Sequence, residues 1–264
     1  MYDLHIHTRY SDGDNMWMLK NAAEEISFDT IGFVDHAIVT DDDLRTQQKY
    51  NLAHVFDKTY EYRRKAIEFH QQDTDVELLD GIEMDFQIGD ESQIASFFAE
   101  AEFEYTIGSV HTVHGTTIPY IDAFEHASEE QITEAVEEYY VQLEALIRSG
   151  LFDIAAHVDL IETTPHTYGR TTREHAERIA DAFEESQTVP EINVKPILEA
   201  SGIEYHPDDP LRSELLKRNV PFTLGSDAHS VEQLRERAPK LEEVRRELDA
   251  EIVDPEQIVS ASST

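Results

Sequence analysis

Short apolar runs alternate along this chain with longer stretches whose apolar residues recur every three to four positions. The runs lie at Leu4–Ile6, Ile31–Val34, Val76–Leu79, Tyr105–Val110, Phe152–Ala156, Val189–Asn193 and Val220–Leu224. Each is short enough for a buried strand. Between them, the spacing of Met18, Ala22 and Ile26 predicts a helix over about 15–28, and a long helical segment runs to about residue 72. Ile132, Val136, Leu143 and Ile147 mark a further helix behind Ser128-Glu129-Glu130-Gln131, which has the spacing of a capping box. Helices are also predicted at about 171–187, 209–219 and 231–248, and Ser260–Thr264 reads as a frayed tail. Asp41-Asp42-Asp43 suits a helix start, where acidic side chains meet unpaired backbone N–H groups. Seven strand–helix alternations imply a mostly parallel sheet, most economically a closed barrel. With no internal repeat or linker, residues 1–264 form one domain, carrying a C-terminal helix and tail from about 231.

In a β/α barrel, the residues just past the strand C-termini gather on one face. Here six of the seven strand ends carry His, Asp or Glu. His5 and His7 close the first, on one side of the strand by its period of two. Asp35-His36 closes the second, and Glu83 sits just beyond the third, behind Gly81. His111 and His157 end two more, and Asp227 and His229 follow the last. Asp12, in the turn-rich stretch Ser11-Asp12-Gly13, can fold back toward His7. The chain has no cysteine, which leaves imidazoles and carboxylates as ligands and suits Zn²⁺, Mn²⁺ or Fe²⁺. Nine candidate ligands are too many for one ion and enough for three, if Glu83 bridges two. Adjacent metals bind phosphoryl oxygens, acidify a bridging water and stabilise a leaving oxygen, so the chemistry implied is phosphoester hydrolysis with Glu83 and Asp227 at its centre.

Composition narrows the partners. Against 56 acidic residues stand 21 basic ones, a formal net charge of −35. That disfavours a nucleic-acid surface, while 40% hydrophobic content argues against disorder. A strongly hydrated acidic surface of the halophilic kind accounts for it, since at about 1 M salt the Debye length is about 3 Å and self-repulsion is screened. No apolar run approaches the ~20 residues that span a bilayer, and the N-terminus has no basic-then-apolar leader, so the expectation is a cytoplasmic protein without membrane contact. Oligomeric state is left open.

His5-Ile6-His7-Thr8, Ser11-Asp12-Gly13, Asp35-His36, Gly81-Ile82-Glu83, Ser109-Val110-His111, His157 and Gly225-Ser226-Asp227-Ala228-His229, together and in this order, resemble the PHP (polymerase and histidinol phosphatase) superfamily. The resemblance runs from residue 3 to about 230 and implies a distorted seven-stranded β/α barrel with three divalent ions. It implies one ion on His5, His7, Glu83 and Asp227, a second on Glu83, His111 and His157, and a third on Asp12, His36 and His229. The chain is most similar to the histidinol-phosphatase branch. His157-Val158-Asp159-Leu160 resembles its His-Pro-Asp-Leu segment, with valine for proline. Glu191-Ile192-Asn193 resembles its Glu-Ile-Asn strand, and Glu204-Tyr205-His206-Pro207 its Tyr-Pro segment. Two departures stand out: Lys195 where the branch carries a phosphate-binding arginine, and Thr112-Val113-His114-Gly115 where it carries an acidic residue. A lysine meets phosphate as a point charge, without the guanidinium fork. Lys195 and Arg170 are candidates for holding phosphate, and His206 for protonating the leaving alcohol. The expected activity is hydrolysis of a small phosphomonoester, L-histidinol phosphate first. Two alternatives keep the ligands: a phosphodiesterase or exonuclease on nucleotides or short nucleic acid, and a non-catalytic metal-binding module.

Overall fold

The structure, a computed structural model, describes residues 1–42, 45, 46, 49, 56–118, 122–196 and 205–262. The ten strands among the described residues are β1 (Tyr2–Ile6), β2 (Thr30–Phe33), β3 (His36–Ala37), β4 (Glu77–Asp85), β5 (Tyr105–Ser109), β6 (Thr112–Val113), β7 (Thr116–Thr117), β8 (Ile154–Ala155), β9 (Val189–Asn193) and β10 (Thr223–Gly225). The helices among the described residues are α1 (Met16–Ile26), α2 (Tyr60–Gln71), α3 (Glu91–Ala101), α4 (Glu129–Arg148), α5 (Arg173–Glu184), α6 (Leu211–Lys217), α7 (Val231–Glu247) and α8 (Pro255–Ser262).

Seven strands run parallel in the order β1-β2-β4-β5-β8-β9-β10, with β3 extending the edge of β4 and β6–β7 forming a small hairpin apart. A parallel bridge between Ile6 and Ala228 brings the two ends of the sheet together, and the result is a nearly closed, distorted β/α barrel. Parallel strands buried on both faces read as continuous apolar runs, which is why the seven runs stand out in the sequence. α4 begins at the expected box: Ser128 accepts from the Gln131 amide, and Gln131 reaches back to the Ser128 amide. Its buried stripe includes Ile132, Val136, Leu143 and Ile147.

Tyr105 fills the barrel interior and donates to the Leu4 carbonyl at 2.7 Å. A β-carbon at Gly32 would lie 1.8 Å from the Tyr105 hydroxyl oxygen and one at Gly81 2.4 Å from the ring, so glycine at both positions admits the side chain. Here the structure corrects the sequence expectation. Gly81 does not end a strand; β4 continues to Asp85 because β3 and β5 pair with its second half. Glu83 therefore lies inside β4, not beyond it. A second correction concerns the C-terminus: residues 260–262 belong to α8. The segment before α8 is sewn to the barrel, with Tyr2 donating to the Val253 carbonyl at 2.6 Å and the Val253 amide to Phe222 at 2.8 Å. Ser263, Thr264, Asp43 of the acidic triplet, Glu204 and part of the segment leading to residue 72 lie outside the described residues. No described helix is long and apolar enough to cross a membrane.

Candidate metal centre

The C-terminal ends of the strands carry the polar side chains expected of them. His5 and His7, fully buried, meet nitrogen to nitrogen at 3.1 Å. The Glu83 carboxylate lies 3.5 Å from each Nε2, and Asp227 Oδ1 lies 3.3 Å from His7 and 3.9 Å from His5. Metal bonds of about 2.0–2.2 Å in a tetrahedron place donor atoms roughly 3.4 Å apart. These four side chains have that spacing, and they fit a divalent ion. The other Glu83 oxygen lies 3.1 Å from His157 Nε2 and 3.4 Å from His111 Nε2. Glu83 thus faces two groups of imidazoles, one with each oxygen. Asp12 Oδ2 lies 3.4 Å from His229 Nε2 and 3.8 Å from His36 Nε2, with the His7 ring stacked on His229 at 4.0 Å. Three sets of donors lie within 4.8 Å of one another: His7, Asp12, His36 and His229; His5, His7 and Glu83; His36, Glu83 and His111. All nine residues singled out in the sequence come together.

A surrounding layer turns the imidazoles. Glu191 Oε1 lies 2.7 Å from His5 Nδ1, and Asp85 Oδ1 lies 3.4 Å from His111 Nδ1 and accepts from its amide. The Asp227 carbonyl lies 3.0 Å from His229 Nδ1. Each contact directs the ring's Nε2 to the centre, as outer partners of metal-bound histidines do. Gly225 makes the His5–Glu191 pair possible, since a β-carbon there would lie 1.9 Å from Glu191 Oε1. Asp12 is presented by a loop that Asp35 holds from beneath. Asp35 accepts from the Thr8 amide and hydroxyl at 2.8 and 2.7 Å and from the Ser11 amide and hydroxyl at 3.1 and 2.8 Å. The buried Arg63 answers it at 3.0 Å and also binds Asp80 at 2.5 Å. Glu191 stands out in the sequence only as part of the Glu-Ile-Asn resemblance, with no role attached, Asp85 gave no metal-ligand signal, and Arg63 is hidden in a charged helix, so sequence reasoning assigned a place in the site to none of the three.

Electrostatics match the geometry. Burial would raise the Glu83 carboxyl, but His36, His5 and His111 hold it well below the usual carboxylate range. Asp227, equally buried, is held well down by Lys195 and His7. Burial, with His229 and His36 beside it, drives His7 well down toward the neutral form, in which it binds metals. His111 goes the other way: against burial, Glu83 and Asp85 raise it to about 10.

The candidates for substrate contact divide. Lys195, past the end of β9, is 2.7 Å from Asp227 Oδ2 and 38% exposed, at the rim of the cluster. Arg170 pairs instead with Glu129 at 2.8 Å, near the start of α4. His206 is fully buried, with Nδ1 2.5 Å from Asp159, and its backbone pairs with Asn193. Asn193 in turn donates to Glu191.

A nearly closed parallel barrel with a polynuclear set of imidazole and carboxylate donors at its mouth defines the class, a β/α-barrel protein built to hold metal ions. The PHP domain model matches residues 3–195, and the chain belongs to the PHP family. A Deinococcus radiodurans protein assigned as a histidinol-phosphatase is 29% identical over 155 residues. That match spans 56% of this chain and 56% of the relative, so the chain spans little more than half of that protein's length. Among solved structures, a candidate histidinol phosphatase of Listeria monocytogenes superposes with a TM-score of 0.75 at 19% identity, over 90% of this chain and 99% of the other. The histidinol phosphate phosphatase of Lactococcus lactis, solved with zinc, L-histidinol and phosphate, gives 0.64 at 20% identity over 96% and 95%.

Proposed function

We propose that the protein is a metal-dependent phosphomonoesterase whose first substrate is L-histidinol phosphate, and that it serves histidine biosynthesis. The observation that carries this reading is Glu83, which turns each carboxylate oxygen to a different group of imidazoles. In this proposal three divalent ions, zinc, manganese or iron, are held by the nine donors in the groups the family resemblance implies. When bound, they supply Lewis acidity toward the phosphoryl oxygens and lower the pKa of a water.

The chain's own residues do the rest. Glu83 and Asp227 hold negative charge at the centre and set where the phosphoryl group sits. Lys195, exposed beside Asp227, reaches the phosphate oxygens as a point charge. Arg170, turned to Glu129, has no part in this reading. His206 faces Asp159 and is sealed from solvent, which favours a clasp between the ends of β8 and β9 over a donor to the leaving alcohol. The relatives' names and the ligands of the Lactococcus lactis structure support the substrate. The reading places the protein in the cytoplasm, where small phosphorylated intermediates are made, and the charge of −35 suits a concentrated-salt interior.

Hydrolysis at high salt, after loading with Mn²⁺ or Zn²⁺, tests it. L-histidinol phosphate is expected to exceed other sugar and amino-alcohol monophosphates and a nucleotide diester in kcat/KM. Preference for the diester would overturn the phosphomonoesterase reading, and full turnover in Asp227→Asn and His111→Ala would overturn the metal mechanism.

A further inference from the structure

Two of the nine donors, His157 and Asp227, hold a backbone conformation that side chains other than glycine seldom adopt, with φ of 30° and 52°. A residue stays there only when its surroundings over-determine it. Asp227 follows β10, and its conformation turns the carboxylate to His7 on one side and to Lys195 on the other. Side chains from separate elements reach the backbone of this turn: Asp3 on β1 accepts from the Ser226 amide at 2.9 Å and Gln233 on α7 from the His229 amide at 2.7 Å, while the two carbonyls between them are bound by an arginine. Arg237, half-buried on α7, donates through Nη1 to the Ser226 carbonyl at 2.9 Å and the Asp227 carbonyl at 2.7 Å. The Asp227 carbonyl is also the one that faces His229 Nδ1. The guanidinium thus fixes two consecutive peptide planes, and through them the direction of two donors.

We infer that Arg237 is a further positioning residue of the metal centre, clamping the left-handed turn so that Asp227 and His229 both face inward. It touches no reacting atom in this arrangement and acts through Asp227. His157 shows the same device elsewhere, its carbonyl accepting from the Tyr139 hydroxyl at 3.1 Å. The inference rests on the metal-site reading of Asp227.

The test compares metal-free wild type with Arg237→Met, which keeps most of the aliphatic stem, and Arg237→Lys, which keeps the charge on a shorter reach. Mn²⁺ or Zn²⁺ affinity is read by calorimetry, ions per chain by elemental analysis after dialysis, and melting temperature with and without metal. Arg237→Met is expected to bind metal at least ~10-fold more weakly, the usual loss on removing an outer partner of a metal ligand. Its metal-induced rise in melting temperature should shrink more than its metal-free melting temperature falls. Arg237→Lys, too short to reach both carbonyls, is expected to fall between it and wild type. A folded Arg237→Met with wild-type affinity overturns the inference. So does wild-type affinity in Arg237→Lys should the methionine variant fail to fold. Wild type that binds no divalent ion overturns the metal-site reading as well, which separates the two failures.

Discussion

Glu83 and Glu191 are both buried carboxylates against His5, yet they are suited to different tasks. Glu83 lies among imidazoles that hold it ionised, whereas Glu191 spends one oxygen on His5 Nδ1 and the other on Asn193 and the His157 amide. Glu191→Gln keeps the shape and removes the charge behind His5. It is expected to weaken metal binding by about 10–100-fold while leaving the melting temperature of metal-free protein near wild type; calorimetric titration checks both. Gly225 is the complementary case. An alanine there drives its β-carbon onto Glu191 and to 2.6 Å from the β-carbon of His5. Gly225→Ala should therefore cost about 1–3 kcal/mol as an overpacked core does, measured by urea unfolding, and should lower the number of ions retained.

At the scale of elements, the loop after β1 is held from outside itself. Asp35, at the end of β2, gathers four donors from Thr8 and Ser11, and Arg63 on α2 neutralises it. Asp35→Ala releases the loop that carries Asp12 and leaves a fully buried guanidinium with one carboxylate fewer. A loss of about 3–5 kcal/mol is expected, as for other broken buried pairs, visible as a lower urea midpoint with unchanged slope. This organisation also explains what could be read beforehand. The strand ends were legible because run and ligand adjoin in sequence, as in Leu4–His7 or Leu224–His229. The outer partners were not, because Asp35 meets Arg63 across 28 residues and His5 meets Glu191 across 186, distances at which local pattern says nothing. The length of β4 was hidden too. Gly81 reads as a break in isolation, and only the strands on either side, with Tyr105 packed over it, make it a place within a strand.

The whole molecule sets charge repulsion against closure. With a net charge of −35, its folded state should gain from screening, and the melting temperature is expected to rise from 0.1 to 2 M KCl by more than it does in a charge-balanced barrel of equal size, followed by circular dichroism. Chelation should lower that temperature at every salt concentration, because an ion held only by the folded chain stabilises it by mass action. The bridge from Ile6 to Ala228 gives the barrel one more property. It joins the first strand to the last, and His7 donates its amide across the seam to Ala228 at 2.9 Å. The donors on the two sides of that seam come from opposite ends of the chain, so during synthesis His5 and His7 meet Asp227 and His229 only after more than two hundred further residues have followed. A chain interrupted before β10 would carry seven of the nine donors and no seam. The two donor sets that include Asp227 and His229 are then complete only in a polypeptide that has been made and threaded to its last strand.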